Sequence, residues 1–151
     1  MILLVLTGCG FHLRAPAQVP FKNVQISGTT LITEPMRKAM KAQGVRLVVS
    51  EEDADLRVEL IKEENEKRIL SLSGTGVVRE YELYYRVQYR TKVAGQAAWS
   101  LPFMVEGRRD YTYNDTILLG KASEEKYLIE TMQTEVMNAI LHRISAMKKE
   151  P

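Results

Sequence analysis

The segment from Tyr81 to Val93 alternates apolar and polar side chains, and this regularity constrains the fold more than any other feature of the sequence. Its odd-numbered positions carry tyrosine, leucine, valine or threonine, whereas its even-numbered positions carry charged or amide side chains, with Tyr84 as the aromatic exception. Successive side chains of a β-strand point to opposite faces, so the pattern predicts one long strand with a single buried face. At about 3.3 Å per residue, such a strand extends over roughly 40 Å.

A turn and a second alternating segment follow this strand. Residues 94–97 contain glycine and other small side chains, which favour a reversal of the chain. The alternation then resumes at four apolar positions: Trp99, Leu101, Phe103 and Val105. The two segments together predict an antiparallel hairpin with one buried face.

The patterns before the hairpin predict shorter elements. Residues 24–26 and 45–49 indicate strands on either side of a helix that begins at Glu34 and Pro35 and ends at Gly44. Residues 56–60 and 68–72 indicate two further short strands, followed by a glycine-containing turn.

A long amphipathic helix is predicted at the end of the chain. Ser123 is a suitable N-cap, and apolar side chains then recur every three or four residues as far as Met147. A stripe of this kind can also serve as an interaction surface, but a long sheet that needs cover favours a place in the core. We therefore predict a single α+β domain over residues 24–147, with two helices packed on one face of a mainly antiparallel four- to five-stranded sheet.

The N-terminus indicates a lipid anchor. Residues 1–6 are apolar and lead into Leu6-Thr7-Gly8-Cys9, the pattern of a bacterial lipoprotein signal in which the cysteine thiol receives diacylglycerol. Residues 1–8 carry no Lys or Arg, so we interpret them as a truncated signal segment, and residues 9–23 as a lipidated tether. Gly10 in place of aspartate is typical of lipoproteins sorted to the outer membrane. The alternative is a buried N-terminal strand that contains a cysteine.

The composition excludes several classes of function. With 21 Lys and Arg against 19 Asp and Glu, the net charge is +2, which does not favour nucleic-acid binding. One cysteine and two histidines exclude an intramolecular disulfide and a thiolate or imidazole metal cluster. No nucleophile and base stand in a known catalytic pattern, so we expect neither catalysis nor a cofactor.

A group of cations between the hairpin and the last helix is the best candidate for a binding site. Arg108 and Arg109 leave the second hairpin strand, and Lys121 precedes the predicted start of the last helix, where backbone amides favour an anion. The apolar residues 117–119 lie between them, as would suit a phosphorylated glycolipid. In the alternative interpretation, Arg109 pairs with Asp110 or another neighbour, and the leucines are in the core.

Several of these motifs resemble one bacterial family. The run from Leu6 to Arg14, which reads Leu-Thr-Gly-Cys-Gly-Phe-His-Leu-Arg, is similar to the start of the LPS-assembly lipoprotein LptE family. The entry to the long strand at residues 79–83 and the segment from Arg109 to Glu125 are also similar to that family.

The resemblance implies an outer-membrane lipoprotein that is lipidated at Cys9 and lies inside the LptD β-barrel as a plug. It also implies a role in the assembly of that barrel and in the delivery of lipopolysaccharide to the outer leaflet. The candidates for contact with lipopolysaccharide phosphates are Lys121, Arg108, Arg109, Arg68 and Arg79. The competing hypothesis is a periplasm-facing lipoprotein enzyme or a small-ligand carrier.

Overall fold

The structure is a computed structural model and describes residues 18–114 and 118–147. Five strands and two helices follow one another in the chain: β1 (Asn23–Ser27), α1 (Thr33–Ala42), β2 (Arg46–Leu47), β3 (Leu56–Leu72), β4 (Val78–Val93), β5 (Phe103–Thr112) and α2 (Leu118–Ser145). No helix in this part of the chain is both long and apolar enough to cross a bilayer.

The strands form one sheet in the order β2-β1-β3-β4-β5. β1 is parallel to β2, to which α1 connects it by a crossover, and it is also parallel to β3. The β3–β4 and β4–β5 pairs are antiparallel. The predicted α+β class with two helices is confirmed, and the sheet is mixed rather than purely antiparallel.

One face of the sheet is buried under both helices. The odd-numbered residues of β4, among them Leu83, Tyr85 and Val87, belong to the same core cluster as Met36 of α1 and Met132 of α2. We call this the helix face. The even-numbered residues of β4 point to the opposite face, here called the open face, where the polar half of the alternation lies.

Three element boundaries differ from the predictions. β3 is one continuous strand of 17 residues rather than two short ones, and it pairs with β4 along its whole length. β5 begins at Phe103 and extends to Thr112, so Trp99 precedes it, and Arg108 and Arg109 lie within a strand. α2 begins at Leu118, one turn before the predicted N-cap at Ser123.

A tight turn after β1 directs the chain toward α1. Gly28 adopts a φ of 118°, and a Cβ at this position would lie 2.4 Å from the carbonyl oxygen of Leu60. Only glycine allows the backbones of the turn and of β3 to approach so closely. The turn also places the Leu31 amide 2.7 Å from a carboxylate oxygen of Glu63.

Candidate functional site

Arg108 and Arg109 are adjacent in β5 and lie on opposite faces of the sheet. Arg108 is on the open face, where it forms an ion pair with Glu82 and approaches Asp110 at 3.6 Å. Arg109 is on the helix face, where it forms an ion pair with Glu135 of α2. The structure therefore does not bring these two guanidinium groups together, and Arg109 is already paired with a neighbour.

Lys121 lies in the first turn of α2, next to the end of β5. Its Nζ is 2.7 Å from Oε2 of Glu124 and 3.5 Å from Oγ1 of Thr112. The residue after Thr112, Tyr113, donates its backbone N–H to the carbonyl oxygen of Arg79 at 2.7 Å. The structure thus brings Lys121 and Arg79 to the same end of the sheet.

Arg79 and Arg68 differ in their surroundings. Arg79 is exposed at the start of β4 and forms no ion pair with another described residue. Arg68 lies on the open face, paired with Glu66 at 2.5 Å and stacked 4.9 Å from the ring centroid of Tyr84. Arg68 is therefore already paired with a carboxylate, whereas the side chain of Arg79 is exposed to solvent.

Tyr84, the exception in the sequence pattern, is the centre of a charged cluster on the open face. Arg86 and Arg108 also face its ring, at 4.4 Å and 5.9 Å. Hydrogen bonds from Arg68 and Arg86 lower the pKa of the Glu66 carboxyl to about 2. The aromatic ring is thus a platform for guanidinium groups, each of which also has a carboxylate partner.

A second cluster, on the helix face, was not predicted from the sequence. Lys67 lies 2.6 Å from Oε2 of Glu125 and 4.2 Å above the ring centroid of Tyr81. The Tyr111 hydroxyl donates to the same Glu125 oxygen at 2.5 Å. Burial alone raises the pKa of Glu125, but hydrogen bonds from Lys67 and Tyr111 outweigh it, so this pKa is lowered. These contacts fix the start of α2, and with it Lys121, against the sheet.

The signal for this cluster was weak. Lys67 occupies a helix-face position of β3, but the sequence pattern left residues 61–67 unassigned because charged side chains occur there at both parities. Only the pairing of β3 with β4 reveals which way Lys67 points.

Exposed apolar side chains complete this end of the molecule. Four residues at or near the tip of the β3–β4 hairpin are about half exposed: Ile69, Leu70, Leu72 and Val77. Tyr81 packs against Tyr111 and Tyr113, with centroid distances of 5.8 Å and 5.1 Å. We call the hairpin tip, these three tyrosines, Lys67, Arg79 and Lys121 together the hairpin-end surface. Cys9 and Ile117, and the side chains of Leu118 and Leu119, lie outside what the structure describes.

A domain with two helices on one face of a mixed five-stranded sheet is similar in fold to bacterial lipoproteins of known structure. The solution NMR structure of uncharacterized lipoprotein B from Nitrosomonas europaea is 31% identical, with a TM-score of 0.75 and coverage of 91% of both chains. The crystal structure of rare lipoprotein B from Shewanella oneidensis is 28% identical, with a TM-score of 0.74 and coverage of 82% of this chain and 94% of that one.

The family follows from the sequence comparison. The model of the LptE lipopolysaccharide-assembly family matches residues 21–144, and the chain belongs to this family. The LPS-assembly lipoprotein LptE of Yersinia enterocolitica is 24% identical over 95% of this chain and 72% of the relative. The protein of the same name from Pectobacterium atrosepticum is 22% identical over 95% of this chain and 80% of the relative.

Proposed function

We propose that this chain is a non-catalytic, outer-membrane lipoprotein subunit of the lipopolysaccharide translocon, and that its hairpin-end surface binds lipopolysaccharide. The observation that carries the proposal is the juxtaposition of Lys121 and the exposed Arg79 with exposed apolar side chains at one end of the sheet. A glycolipid with phosphates and acyl chains needs both kinds of contact. Membership of the lipopolysaccharide-assembly family supports the same ligand.

The ion pair of Lys121 is no obstacle to this role. Glu124 is a partner three residues away on the same helix, and a pair of this kind contributes only a few tenths of a kcal/mol. A phosphate brings more charge, and it is favoured further by the positive end of the α2 dipole. A phosphate can therefore replace Glu124 as the partner of Lys121 at little cost in free energy. The Thr112 hydroxyl lies beside Lys121 and can donate to the same phosphate.

The other candidate cations have different parts in the proposal. Arg68 and Arg108 share the Tyr84 cluster on the open face, so a phosphate there competes with Glu66 and Glu82. Arg109 is further away, because its guanidinium is directed to Glu135 on α2. We propose Lys121 and Arg79 as the primary phosphate contacts and the other three arginines as secondary ones.

The anchor and the barrel partner belong to the same proposal. Diacylglycerol on Cys9 holds the domain at the membrane, with stable attachment if the amine is acylated as well, since one chain alone binds only marginally. The open face suits the polar lumen of an LptD-type barrel, because its charged side chains are paired across strands, as in the bonds of Arg86 to Glu66 and Glu106. A plug of this kind requires no catalytic group.

The test uses the full lipidated chain, affinity-tagged and isolated from outer membranes. We expect the LptD-type barrel and lipopolysaccharide to be recovered with it. The double variant Lys121→Glu, Arg79→Glu is expected to retain the barrel and lose about tenfold or more of the bound lipopolysaccharide, because two charge-assisted contacts are reversed.

The control is Lys38→Glu, an exposed cation of α1 far from the hairpin end, which is expected to keep both partners. Unchanged lipopolysaccharide in the double variant would remove Lys121 and Arg79 from the site. Absence of the barrel from the wild-type sample would contradict the plug, and failure of the wild-type chain to incorporate labelled palmitate would contradict the anchor.

A further inference from the structure

A cavity lies at the end of the molecule opposite the hairpin-end surface, between the end of α2 and the beginning of β5. Its volume is about 440 Å³, within the range of small-molecule sites. Tyr89 and Phe103 form one wall, with ring centroids 5.7 Å apart, and Met147 forms another. The cavity therefore has a mostly apolar lining, to which methionine can adapt its shape.

This cavity has a cation at its edge. Arg143 lines it and forms no ion pair with any described residue. Its neighbours one turn away are Ala139 and Ile140 in α2 and Ala146 and Met147 just beyond its end, and none of these is acidic. The guanidinium lies beside the Tyr89 hydroxyl: burial raises the pKa of that phenol, and Arg143 partly offsets the rise.

Hydroxyl groups line the remaining side. Ser100 and Thr91 both face the cavity, and the Ser100 hydroxyl is already engaged, accepting from the Thr91 amide at 3.0 Å and donating to the carbonyl of Leu101 at 3.0 Å. This fixes the connection between β4 and β5 in place. The cavity thus combines a rigid polar edge, an apolar wall and one cation that forms no ion pair within residues 18–114 and 118–147.

We propose that this cavity binds a single alkyl chain that ends in an anionic group, with the chain against Tyr89, Phe103 and Met147 and the anion on Arg143. Charge complementarity selects the anion, since Arg143 has the Tyr89 hydroxyl beside it but no carboxylate partner among the described residues. The site is separate from the hairpin-end surface: Lys121 and Arg143 are roughly 33 Å apart along α2 at about 1.5 Å per residue.

The position of the cavity suits a lipid ligand. β1 begins at the same end, because Val24 pairs with Leu56, which in turn pairs with Val93 at the end of β4. The described chain enters the domain there, so a lipid anchor upstream would hold this end near the bilayer surface. Ligand binding in the cavity does not require the anchor, so it can be tested with the unacylated chain.

The experiment titrates the full chain, with Cys9 unacylated, with laurate below its micelle concentration. The signals of the Met147 methyl group and the Phe103 ring are followed by NMR. We expect saturable shifts at these two residues with one laurate per chain. Arg143→Gln is expected to weaken laurate binding about tenfold, the loss of one charge-assisted contact, and to leave binding of the uncharged dodecanol unchanged.

Three further arms make the result specific. Lys38→Gln and Lys121→Gln are expected to bind laurate as the wild type does, which separates this site from the proposed lipopolysaccharide contact. Met147→Gln, which keeps the cation and makes the wall polar, is expected to weaken laurate and dodecanol alike. Binding of dodecyl phosphate as well as laurate supports recognition of charge alone, and binding of laurate alone supports recognition of a carboxylate.

Several outcomes would overturn the proposal. These are shifts that do not saturate, equal affinity for laurate and dodecanol, or laurate binding that survives Arg143→Gln. Shifts confined to the hairpin-end surface would move the ligand to that site. Because Arg143 is exposed, its replacement leaves the core intact, and an unchanged thermal midpoint confirms that the variant is folded.

Discussion

At the scale of single residues, the parity of a strand position decides its chemistry. Arg108 and Arg109 are neighbours in the chain, yet one meets Glu82 on the open face and the other meets Glu135 on α2. Tyr84 appeared to break the alternation, but its ring lies among guanidinium groups on the polar face. Cation–π contacts of this kind stabilise an aromatic side chain that is not buried in the core.

The same cluster leads to a prediction about pH. Hydrogen bonds from Arg68 and Arg86 lower the pKa of Glu66 from its ordinary 4.5 to about 2. A carboxyl group with a lowered pKa stabilises the folded state fully above its ordinary pKa, and the contribution is lost as the pH falls through the lowered value. We expect Glu66→Gln to remove this part of the pH dependence of the free energy of unfolding between about pH 4.5 and pH 2. An NMR titration of the Glu66 carboxyl checks the cause directly, and a midpoint near 4.5 would contradict it.

At the scale of elements, the sequence predicts well the strands and helices in which one face is buried, because burial requires apolar side chains at regular intervals. The alternation of Tyr81–Val93 located β4 to within a few residues, because its helix-face side chains lie in the core. β3 was divided in the prediction, since beyond Leu60 its helix-face positions carry Glu63, Asn65 and Lys67, where the helices cover the sheet only partly. Charged side chains at both parities leave no periodic signal.

The end of β5 and the start of α2 were also predicted incorrectly, each for a local reason. β5 was predicted to end near Val105, because Gly107 and Arg109 occupy the helix-face positions that follow and hide the alternation. α2 starts before Ser123 without a recognisable cap in the sequence. The candidate cations could be named from the sequence, but their grouping in space could not, because it depends on which strand and which face each one occupies.

Gly107 interrupts the apolar alternation of β5 at a position that faces α2. A Cβ at this position would lie 3.1 Å from Cβ and 3.2 Å from Cγ of Met132, so the glycine lets α2 approach β5 closely. Gly107→Ala gains about 0.5–1 kcal/mol from reduced chain entropy but loses about 1–3 kcal/mol to overpacking. Because the nearest atom is the Cβ of the completely buried Met132, which is bonded to the backbone of α2, we expect a net loss of about 1–2 kcal/mol in the free energy of unfolding.

Denaturant unfolding measures this change, with Gly74→Ala in the hairpin turn as the matched control. A Cβ at Gly74 would meet no atom within 4 Å, so this variant is expected to be close to neutral. Equal stabilities of the two variants would show that α2 is not packed on β5 as closely as described.

At the scale of the whole molecule, one continuous core joins two ends with different chemistry. The hairpin-end surface has cations beside exposed apolar groups, whereas the opposite end has the start of the domain and the Arg143 cavity. Met36 of α1 and Met132 of α2 are both fully buried in the same cluster, although the helices cover different strands. The ends are therefore expected to be linked by a single cooperative unit, which keeps the distance between them fixed.

This cooperativity can be measured with two variants. Met36→Ala and Met132→Ala each remove a completely buried side chain, so each is expected to lower the free energy of unfolding by about 2–5 kcal/mol. In both variants, far-UV circular dichroism and the fluorescence of Trp99, the single tryptophan, are expected to report the same transition. If Met36→Ala instead unfolded the α1 end in a separate, earlier step, the two ends would be independent. The sheet could not then hold the hairpin-end surface at a fixed distance from a membrane anchor, because β1, where the chain enters the domain, would detach from β3 first.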